Sequence, residues 1–138
     1  MEVTVDECLV LRQAVLWPLL DVEQCRVEGD DGAAHFGAFH EAELVCCLSV
    51  FSLADGACQI RKFATRQQYQ GQGYGTALME SVLDTLSEKN IRHIFLDART
   101  SAISFYKKLG FVCEGAAFKK NNIEYIRMNH RGIGLTDN

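Results

Sequence analysis

Proline is nearly absent from this sequence, and so are long apolar runs and any excess of positive charge. The 138 residues include one proline and one tryptophan. No apolar run reaches the ~18–20 residues of a membrane-spanning helix, and the longest, from Leu44 to Phe51, is interrupted by Ser49. The first seven residues are acidic where a secretory signal would be basic. We therefore expect a cytoplasmic protein without a membrane partner.

The charge balance excludes one broad class of partner. Lys and Arg number 14 against 18 Asp and Glu, a net charge of −4. Sequence-blind nucleic-acid binding requires a basic face, so we expect no nucleic-acid partner. A local basic pocket for an anionic cofactor remains compatible with this balance.

Six cysteines are present, but none forms a CxxC pair or a Cys/His spacing typical of a metal site. We predict reduced thiols and no bound metal.

The hydrophobic fraction of 48% is ordinary for a globular fold. The length predicts one domain, residues 1–138.

Periodicity predicts a mixed α/β order, α+β in type. A helix capped by Asp6 is expected to run to about Trp17, where Pro18 stops it. The remaining predicted elements follow in chain order: a hairpin of strands 34–39 and 43–53, a strand at 58–65, an amphipathic helix at 73–89, a strand at 93–97, a helix at 101–109 ended by Gly110, and two closing strands.

A glycine-rich loop carries the strongest local signal. The segment Gln70-Gly71-Gln72-Gly73-Tyr74-Gly75 lies between a predicted strand and a predicted helix. Glycines let a backbone approach a ligand closely, and a helix N-terminus favours phosphate. A plain tight turn is the alternative interpretation. A dinucleotide fingerprint ending at Asp97 is a further alternative, but the third glycine comes one position too early for it.

A second sequence motif follows the glycine-rich loop. Gln70-x-x-Gly73-x-Gly75 and then Ala102-x-x-Phe105-Tyr106-x-x-Leu109-Gly110-Phe111 together resemble the GCN5-related N-acetyltransferase (GNAT) family. Segments 11–18, 34–39, 59–65 and 125–128 are similar to its glyphosate N-acetyltransferase branch. The resemblance covers nearly the whole chain and is strongest from Cys58 to Phe111.

The resemblance implies a fold and a cofactor. The fold would be a mixed, mostly antiparallel seven-stranded sheet flanked by about four helices, with a V-shaped cleft between splayed central strands. The donor would be acetyl-CoA, and a homodimer is a family-level expectation. Implied cofactor-binding residues are those matching the pantetheine and pyrophosphate segments and the second motif: Phe63, Ala64, Thr65, Gln70, Gly71, Gln72, Gly73, Tyr74, Gly75, Thr76, Ala102 and Phe105.

The resemblance also implies catalytic roles. Tyr106 aligns with the tyrosine that protonates the leaving sulfur, and core packing is its alternative role. Backbone N–H groups near Phe63 or Ala64 would contact the oxyanion. The branch's histidine base is replaced here by Tyr125, which leaves Glu124 as a candidate base or as an ordinary solvated carboxylate. His35 lies on a predicted strand, and we expect a packed, hydrogen-bonded histidine.

Two arginines are candidates for binding the acceptor. Arg61 and Arg99 match two arginines that hold acidic groups in the branch, and surface ion pairs, such as one to Asp97, are the alternative. Trp17 stands where the branch has a third arginine, and Tyr125 joins this substrate-binding set. We expect an enzyme that acetylates a small primary or secondary amine bearing one carboxylate, by direct attack in a ternary complex. A protein or peptide N-acetyltransferase and a non-catalytic acyl-CoA-binding module are the alternatives.

Overall fold

A computed structural model describes residues 1–131, with Arg131 described by its backbone alone. Seven strands and three α-helices alternate within it. The strands are β1 (Glu2–Val3), β2 (Ala34–His40), β3 (Glu43–Ser52), β4 (Cys58–Thr65), β5 (His93–Arg99), β6 (Phe111–Lys120) and β7 (Ile123–Arg131). The helices are α1 (Val5–Val15), α2 (Tyr74–Glu88) and α3 (Ile103–Lys108).

The strands form one mixed sheet in the order β1-β2-β3-β4-β5-β7-β6. Strands β1, β2 and β3 pair antiparallel, as do β5, β7 and β6. Strand β4 pairs parallel to β5 through Cys58–Ile94 and Gln59–Phe95. The expected α+β class, with a mostly antiparallel seven-stranded sheet, is confirmed.

The expected number of helices is too high by one. Among the described residues, the stretch between α1 and β2 holds two short 3₁₀ turns, Glu23–Cys25 and Asp30–Gly32, and no α-helix. Gly29 in this stretch has φ +92°, a left-handed conformation that interrupts a helix.

Contacts along the chain divide it into two compact units. The first comprises Met1–Phe51 and Ile60–Val82, and the second comprises Ser52–Gln59 with the chain from Leu83 onward. The glycine-rich loop belongs to the first unit. The second motif, with α3, belongs to the second unit.

Helix α1 begins two residues earlier than a cap at Asp6 predicts. Thr4 is the N-cap: its hydroxyl accepts from the Glu7 N–H, and the Glu7 carboxylate accepts from the Thr4 N–H, which completes a capping box. Asp6 therefore lies within the first turn, where a carboxylate still stabilises the helix by interacting with the helix dipole. Cys8 and Leu11 of α1 pack with Cys47 and Ala64 in the core of the first unit.

A buried ion pair fixes α1 to the following loop. Arg12 is fully buried and makes two hydrogen bonds to the Asp30 carboxylate, of 2.7 and 2.9 Å. It also donates to the Ser49 hydroxyl at 3.0 Å and to the Cys25 carbonyl at 3.1 Å. Buried charges persist only when they are paired and hydrogen-bonded in this way.

The remaining turns follow the residue types at their positions. The β6–β7 hairpin turns through Asn121 and Asn122, both at positive φ, as a two-residue primed turn requires. Gly110 has φ +98° and ends α3 as predicted. All six cysteines are free in the structure, and only Cys113 is exposed. No α-helix in the described part of the chain has the length and apolar character to span a bilayer.

Candidate functional site

The glycine-rich loop lies between β4 and α2, as predicted. Gly71 and Gly73 have φ of +78° and +93°, and a Cβ added at either would meet no heavy atom within 4 Å. The first intrahelical bond runs from the Ala77 N–H to the Gly73 carbonyl. The N–H groups of residues 74–76 therefore have no acceptor inside the helix, as at any α-helix start. The loop thus presents backbone donors beside open space.

Side chains of the loop hold its shape. Gln70 donates to the Thr65 carbonyl at 3.0 Å, and Gln72 donates to the Gln68 carbonyl at 3.1 Å. The Thr65 hydroxyl shares a 3.1 Å hydrogen bond with the Cys46 thiol. The end of β4 is therefore tied to both the loop and β3. The two exposed glutamine side chains therefore support the loop through these hydrogen bonds.

An aromatic cluster anchors the start of α2. The Tyr74 hydroxyl shares a 2.8 Å hydrogen bond with His40 Nδ1, and the rings of His40, Tyr69 and Tyr74 lie 5.3–6.3 Å apart by centroid. Tyr69 donates to Glu43 at 3.2 Å. Desolvation and this carboxylate raise the pKa of Tyr69. Neither His40 nor Tyr69 belongs to a sequence motif, so neither residue could be predicted to have a role at the site.

The end of β4 supplies the other candidate cofactor contacts of the first unit. Ala64 is buried in the α1 core, whereas Phe63 and Thr65 are half-buried. The backbone N–H of Arg66 donates to the Val45 carbonyl, and its side chain donates to the Leu44 carbonyl. These bonds hold the strand end on β3 immediately before the loop begins.

These features fit a pyrophosphate-bearing cosubstrate. The donors at the start of α2 are backbone N–H groups, which bind phosphate oxygens without a charged side chain. No heavy atom lies within 4 Å of a Cβ added at Gly71 or Gly73, so the loop backbone is open to a ligand. No cluster of metal-ligating side chains exists within the described residues. The groups that would hold an anion here are the backbone donors of the loop and of the helix N-terminus.

In the second unit, Tyr106 lies among aromatic rings. Its ring makes edge contacts with Phe105 and Phe111, at centroid distances of 5.1 and 5.8 Å. Tyr106 and Phe105 are both half-buried, as is Ala102 at the start of the helix. The ring therefore has the packed environment of a core residue, and it is not fully enclosed.

Three further candidates meet at the ends of β5 and β7. Arg99 is paired with Tyr125 in the β5–β7 ladder. The neighbouring Thr100 hydroxyl donates to the Glu124 carboxylate at 3.3 Å. Tyr125 stacks on Phe118 at 6.0 Å. The sheet thus brings Arg99, Glu124 and Tyr125 to one locality of the second unit, with Glu124 and Arg99 exposed.

Asp97 is engaged elsewhere. Arg127 donates to both carboxylate oxygens of Asp97, at 2.9 and 3.2 Å, and its guanidinium lies over the Phe95 ring at 4.5 Å. The hydrogen bond with Asp97 raises the pKa of Arg127. Asp97 is therefore the partner of Arg127 and not of Arg99, so the alternative that paired Arg99 with Asp97 is wrong.

The remaining acceptor candidates lie in the first unit. The Arg61 guanidinium lies over the Phe51 ring at 5.0 Å, and the Lys62 ammonium lies over the Trp17 ring at 4.7 Å. Sequence reasoning found Arg61 and Trp17 but missed Lys62. Arg61 and Arg99 belong to different units, so their convergence on one acceptor stays a prediction.

His35 is a structural residue, as expected. It is 5% exposed, and its ring nitrogens lie 2.6 Å from the Ser49 hydroxyl and 2.9 Å from the Asp30 carbonyl. Both nitrogens are thus occupied by the network around Arg12. This leaves His35 no nitrogen for a catalytic proton transfer.

Comparison with known proteins decides the family. The sequence matches the acetyltransferase (GNAT) domain family over residues 16–131. The chain is a GNAT acetyltransferase. It is 26% identical to an uncharacterized N-acetyltransferase of Bacillus subtilis, over 84% of this chain and 83% of that protein.

Solved structures share the fold. A candidate N-acetyltransferase from Lactobacillus plantarum superimposes with a TM-score of 0.82 at 18% identity, covering 92% of this chain and 90% of that one. The Escherichia coli ribosomal-protein-S18-alanine N-acetyltransferase gives 0.75 at 17% identity, covering 96% and 90%. A GNAT acetyltransferase from Elizabethkingia anophelis, solved with acetyl-CoA bound, gives 0.70 at 14% identity, covering 88% of each chain.

Family membership makes this GNAT protein an acyltransferase with acetyl-CoA as cosubstrate. The dinucleotide-binding alternative is thereby excluded. The glyphosate N-acetyltransferase branch, by contrast, is not confirmed by these relatives.

Proposed function

We propose that this GNAT enzyme transfers the acetyl group of acetyl-CoA to the amine of a small, carboxylate-bearing acceptor, by direct attack in a ternary complex. The glycine-rich loop is the observation that supports the binding of acetyl-CoA in this proposal. Its left-handed glycines border open space at the start of α2, where N–H groups without an intrahelical acceptor favour phosphate oxygens. Gln70 to Thr76 bind the pyrophosphate in this proposal, and Phe63, Ala64, Thr65, Ala102 and Phe105 line the rest of the donor site.

Three groups of the chain are assigned to the chemical step. Acetyl-CoA, when bound, supplies a thioester carbon that an amine attacks, so that a C–N bond forms and the C–S bond breaks. Backbone N–H groups at Phe63 or Ala64 donate to the carbonyl oxygen as its negative charge develops. Tyr106 donates its phenolic proton to the departing sulfur. Glu124, directly or through a water, accepts the proton that the amine loses.

Acceptor recognition is assigned to Arg61 and Arg99. Within the described residues neither guanidinium is engaged in an ion pair with a carboxylate. A guanidinium binds a carboxylate through two parallel N–H donors, which fixes both the position and the direction of the acceptor. Orientation of the amine for attack makes such a contact catalytically useful. Trp17 and Tyr125 supply apolar surface beside these cations.

Protein acetylation is the second candidate. The S18-alanine N-acetyltransferase of E. coli shares this fold and, by its name, acts on a protein. An enzyme for a protein N-terminus needs an open groove, whereas the assigned arginines favour a small acidic acceptor. Direct competition between a peptide and a small amine discriminates between the two. A non-catalytic acyl-CoA-binding module, the third alternative, would show no turnover with either.

We further propose that residues 1–138 act as one domain. The family match runs through both compact units, and β4 contributes residues to each. Six free cysteines, five of them buried, fit a reducing compartment such as the cytoplasm. A homodimer stays a prediction.

The donor site is tested with a pair of matched glycine variants. Gly73→Asp places a carboxylate where the proposal puts a phosphate, at a residue with φ +93°. Gly56→Asp imposes the same substitution at φ +87°, also with no heavy atom within 4 Å of the added Cβ, in the turn before β4. It therefore controls for backbone strain.

Calorimetry with acetyl-CoA measures the effect. We expect at least a tenfold loss of affinity, about 1.4 kcal/mol, in Gly73→Asp and little change in Gly56→Asp. Equal affinity in the two folded variants would remove the loop from the donor site.

A further inference from the structure

The glycine-rich loop has little conformational preference of its own. Gly71, Gly73 and Gly75 alternate along it, and the first two have left-handed φ of +78° and +93°. Glycine loses more backbone freedom on folding than any other residue. A ligand that binds a loop of this kind also has to order it, unless other contacts have already fixed it. Contacts from outside the loop are therefore needed to hold its N–H groups ready for an anion.

Hydrogen bonds inside the segment that contains the loop do not fix its place on the sheet. The Gln70 side chain donates to the Thr65 carbonyl, and the Gln72 side chain donates to the Gln68 carbonyl. Donor and acceptor are five and four positions apart in the sequence. Such bonds shape residues 65–72, but they leave the segment free to move as one piece relative to β3.

Arg66, the residue after β4, joins this segment to the neighbouring strand. Its backbone N–H donates to the Val45 carbonyl at 2.8 Å, and its Nε donates to the Leu44 carbonyl at 3.0 Å. Its own carbonyl accepts from the Tyr69 N–H at 2.9 Å, in the 3₁₀ turn Gln67–Tyr69 that leads into the loop. One residue thus binds β3 on one side and the turn before the loop on the other.

Glu43, the first residue of β3, contacts both ends of the same turn. One carboxylate oxygen lies 3.5 Å from Arg66 Nε, and the other accepts from the Tyr69 hydroxyl at 3.2 Å. Ion pairs between fully exposed side chains contribute little. The Arg66 side chain is only 22% exposed, and it also donates to a backbone carbonyl, which restricts the direction of the guanidinium. The pair therefore restrains the turn more than an ordinary surface ion pair would.

We propose that Arg66 is a positioning residue for acetyl-CoA: with Glu43 as its partner, it holds the glycine-rich loop on β3 in the orientation that binds the pyrophosphate. This inference rests on the assignment of the loop to the donor in the proposed function. Arg66 acts through the loop backbone and not by contact with a phosphate. Its loss should therefore weaken the binding of acetyl-CoA and leave the chemical step unchanged.

Arg66→Met tests this role with little change in packing. Methionine retains an apolar stem and removes every side-chain donor. Calorimetry should show a loss of acetyl-CoA affinity of about fivefold or more, whereas kcat at saturating acetyl-CoA should stay within twofold of wild type. Arg66→Lys can still donate to the Leu44 carbonyl and pair with Glu43, so it should recover most of the affinity.

Arg26→Met is the matched control. Arg26 is an arginine of the same unit, its side chain is 31% exposed, and it is ion-paired with Asp6, Glu23 and Asp31. Its replacement removes an ion-paired, half-buried arginine away from the loop. Acetyl-CoA affinity should stay within twofold of wild type. A loss equal to that of Arg66→Met would show a general effect on the fold and would contradict the proposal.

Glu43→Ala separates positioning from direct contact, and it changes a side chain exposed enough to leave folding intact. If Arg66 bound a phosphate itself, removal of the carboxylate would free the guanidinium and remove a negative charge, so affinity for the anionic acetyl-CoA would rise. Positioning predicts the opposite, a loss of about two- to fivefold. Glu41→Gln, which removes an exposed carboxylate of the same hairpin, should have no effect.

A double variant shows whether Arg66 acts through the loop. In Gly73→Asp the loop no longer binds the pyrophosphate normally, so adding Arg66→Met should cause at most a twofold further loss of affinity. Fully additive losses, wild-type affinity in Arg66→Met and Glu43→Ala, or a gain in Glu43→Ala overturns the role of Arg66 and leaves the proposed function standing. Wild-type affinity in Gly73→Asp removes the loop from the donor site and overturns both.

Discussion

The Tyr74 hydroxyl and the His40 ring share a 2.8 Å hydrogen bond, which joins the first residue of α2 to the last residue of β2. The two residues are 34 positions apart in the sequence. The bond fixes the start of the helix whose N–H groups are assigned to the pyrophosphate. Positioning of the donor site thus depends on the β2–β3 hairpin.

Tyr74→Phe should weaken donor binding without affecting the chemical step. A hydrogen bond contributes about 0.5–1.5 kcal/mol, which corresponds to a two- to tenfold change in affinity. We expect the KM for acetyl-CoA to rise by that factor while kcat is retained. His40→Ala should have a similar effect, and the double variant should be no worse than the more impaired single variant. Additive losses would show that the two residues act independently.

Tyr106→Phe tests the leaving-group acid. The substitution removes only a hydroxyl, so the ring contacts with Phe105 and Phe111 should survive. Turnover should fall by roughly 10²–10⁴-fold, while calorimetry should show unchanged acetyl-CoA affinity. Tyr69→Phe provides the control, because Tyr69 belongs to the cluster around His40. Turnover near the wild-type value in Tyr106→Phe would assign the protonation of the thiolate to another group.

Arg99→Ala should change which acceptors are preferred. Loss of a guanidinium that binds the acceptor carboxylate removes charge-assisted hydrogen bonds of about 1.5–3 kcal/mol. Carboxylate-bearing amines should therefore lose their advantage over simple alkylamines in kcat/KM, with the KM for acetyl-CoA within a few-fold of wild type. Arg92→Ala, at an exposed site before β5, is the control. An unchanged acceptor ranking would make Arg99 a structural residue.

Asp30→Asn should destabilise the fold strongly. It leaves the fully buried Arg12 without its carboxylate partner, and breaking a buried pair costs about 3–5 kcal/mol. Urea denaturation at pH 7 measures this loss. Asp31→Asn, whose side chain is 91% exposed, should stay close to wild-type stability. Comparable stabilities of the two variants would contradict the importance of the buried pair.

The same pair predicts a pH dependence. Burial alone would raise the pKa of Asp30, but hydrogen bonds from Arg12 and the Val27 N–H outweigh it and hold the pKa below its usual value. The Asp30 contribution to stability is then fully present above the unfolded pKa near ~3.9 and is lost as pH falls through the folded value. Wild-type stability should fall through this acid range, and Asp30→Asn should lack that component. Parallel acid profiles would contradict the assignment.

Local patterns account for what the sequence analysis predicted correctly. The loop at Gln70–Gly75, the α3 stop at Gly110 and the strand at Cys58–Thr65 all depend on neighbouring residues, and all three lie where they were predicted. The N-cap was misplaced because Asp6 and Thr4 are both good caps. The reciprocal bond with Glu7 favours Thr4.

Tertiary effects account for the rest. Left-handed backbone at Lys62 runs against lysine's own preference, so no local pattern predicts it or the pairing of Lys62 with Trp17. The bond between His40 and Tyr74 forms only when the hairpin packs beside α2. The hydrogen bond between Asp97 and Arg127 could not be predicted from a local pattern either, because the two residues are 30 positions apart.

Product analysis of the acetyl-CoA reaction tests the central claim most directly. The purified enzyme is incubated with acetyl-CoA and either amino acids, alkylamines or peptides with free N-termini. Free thiol and acetylated product are then quantified together. At subsaturating acetyl-CoA, the account predicts equimolar thiol and N-acetyl product, formed fastest with the amino acids, reduced at least tenfold in Gly73→Asp and retained in Gly56→Asp. Preferential acetylation of the peptides, or thiol release without an N-acetylated amine, would contradict it.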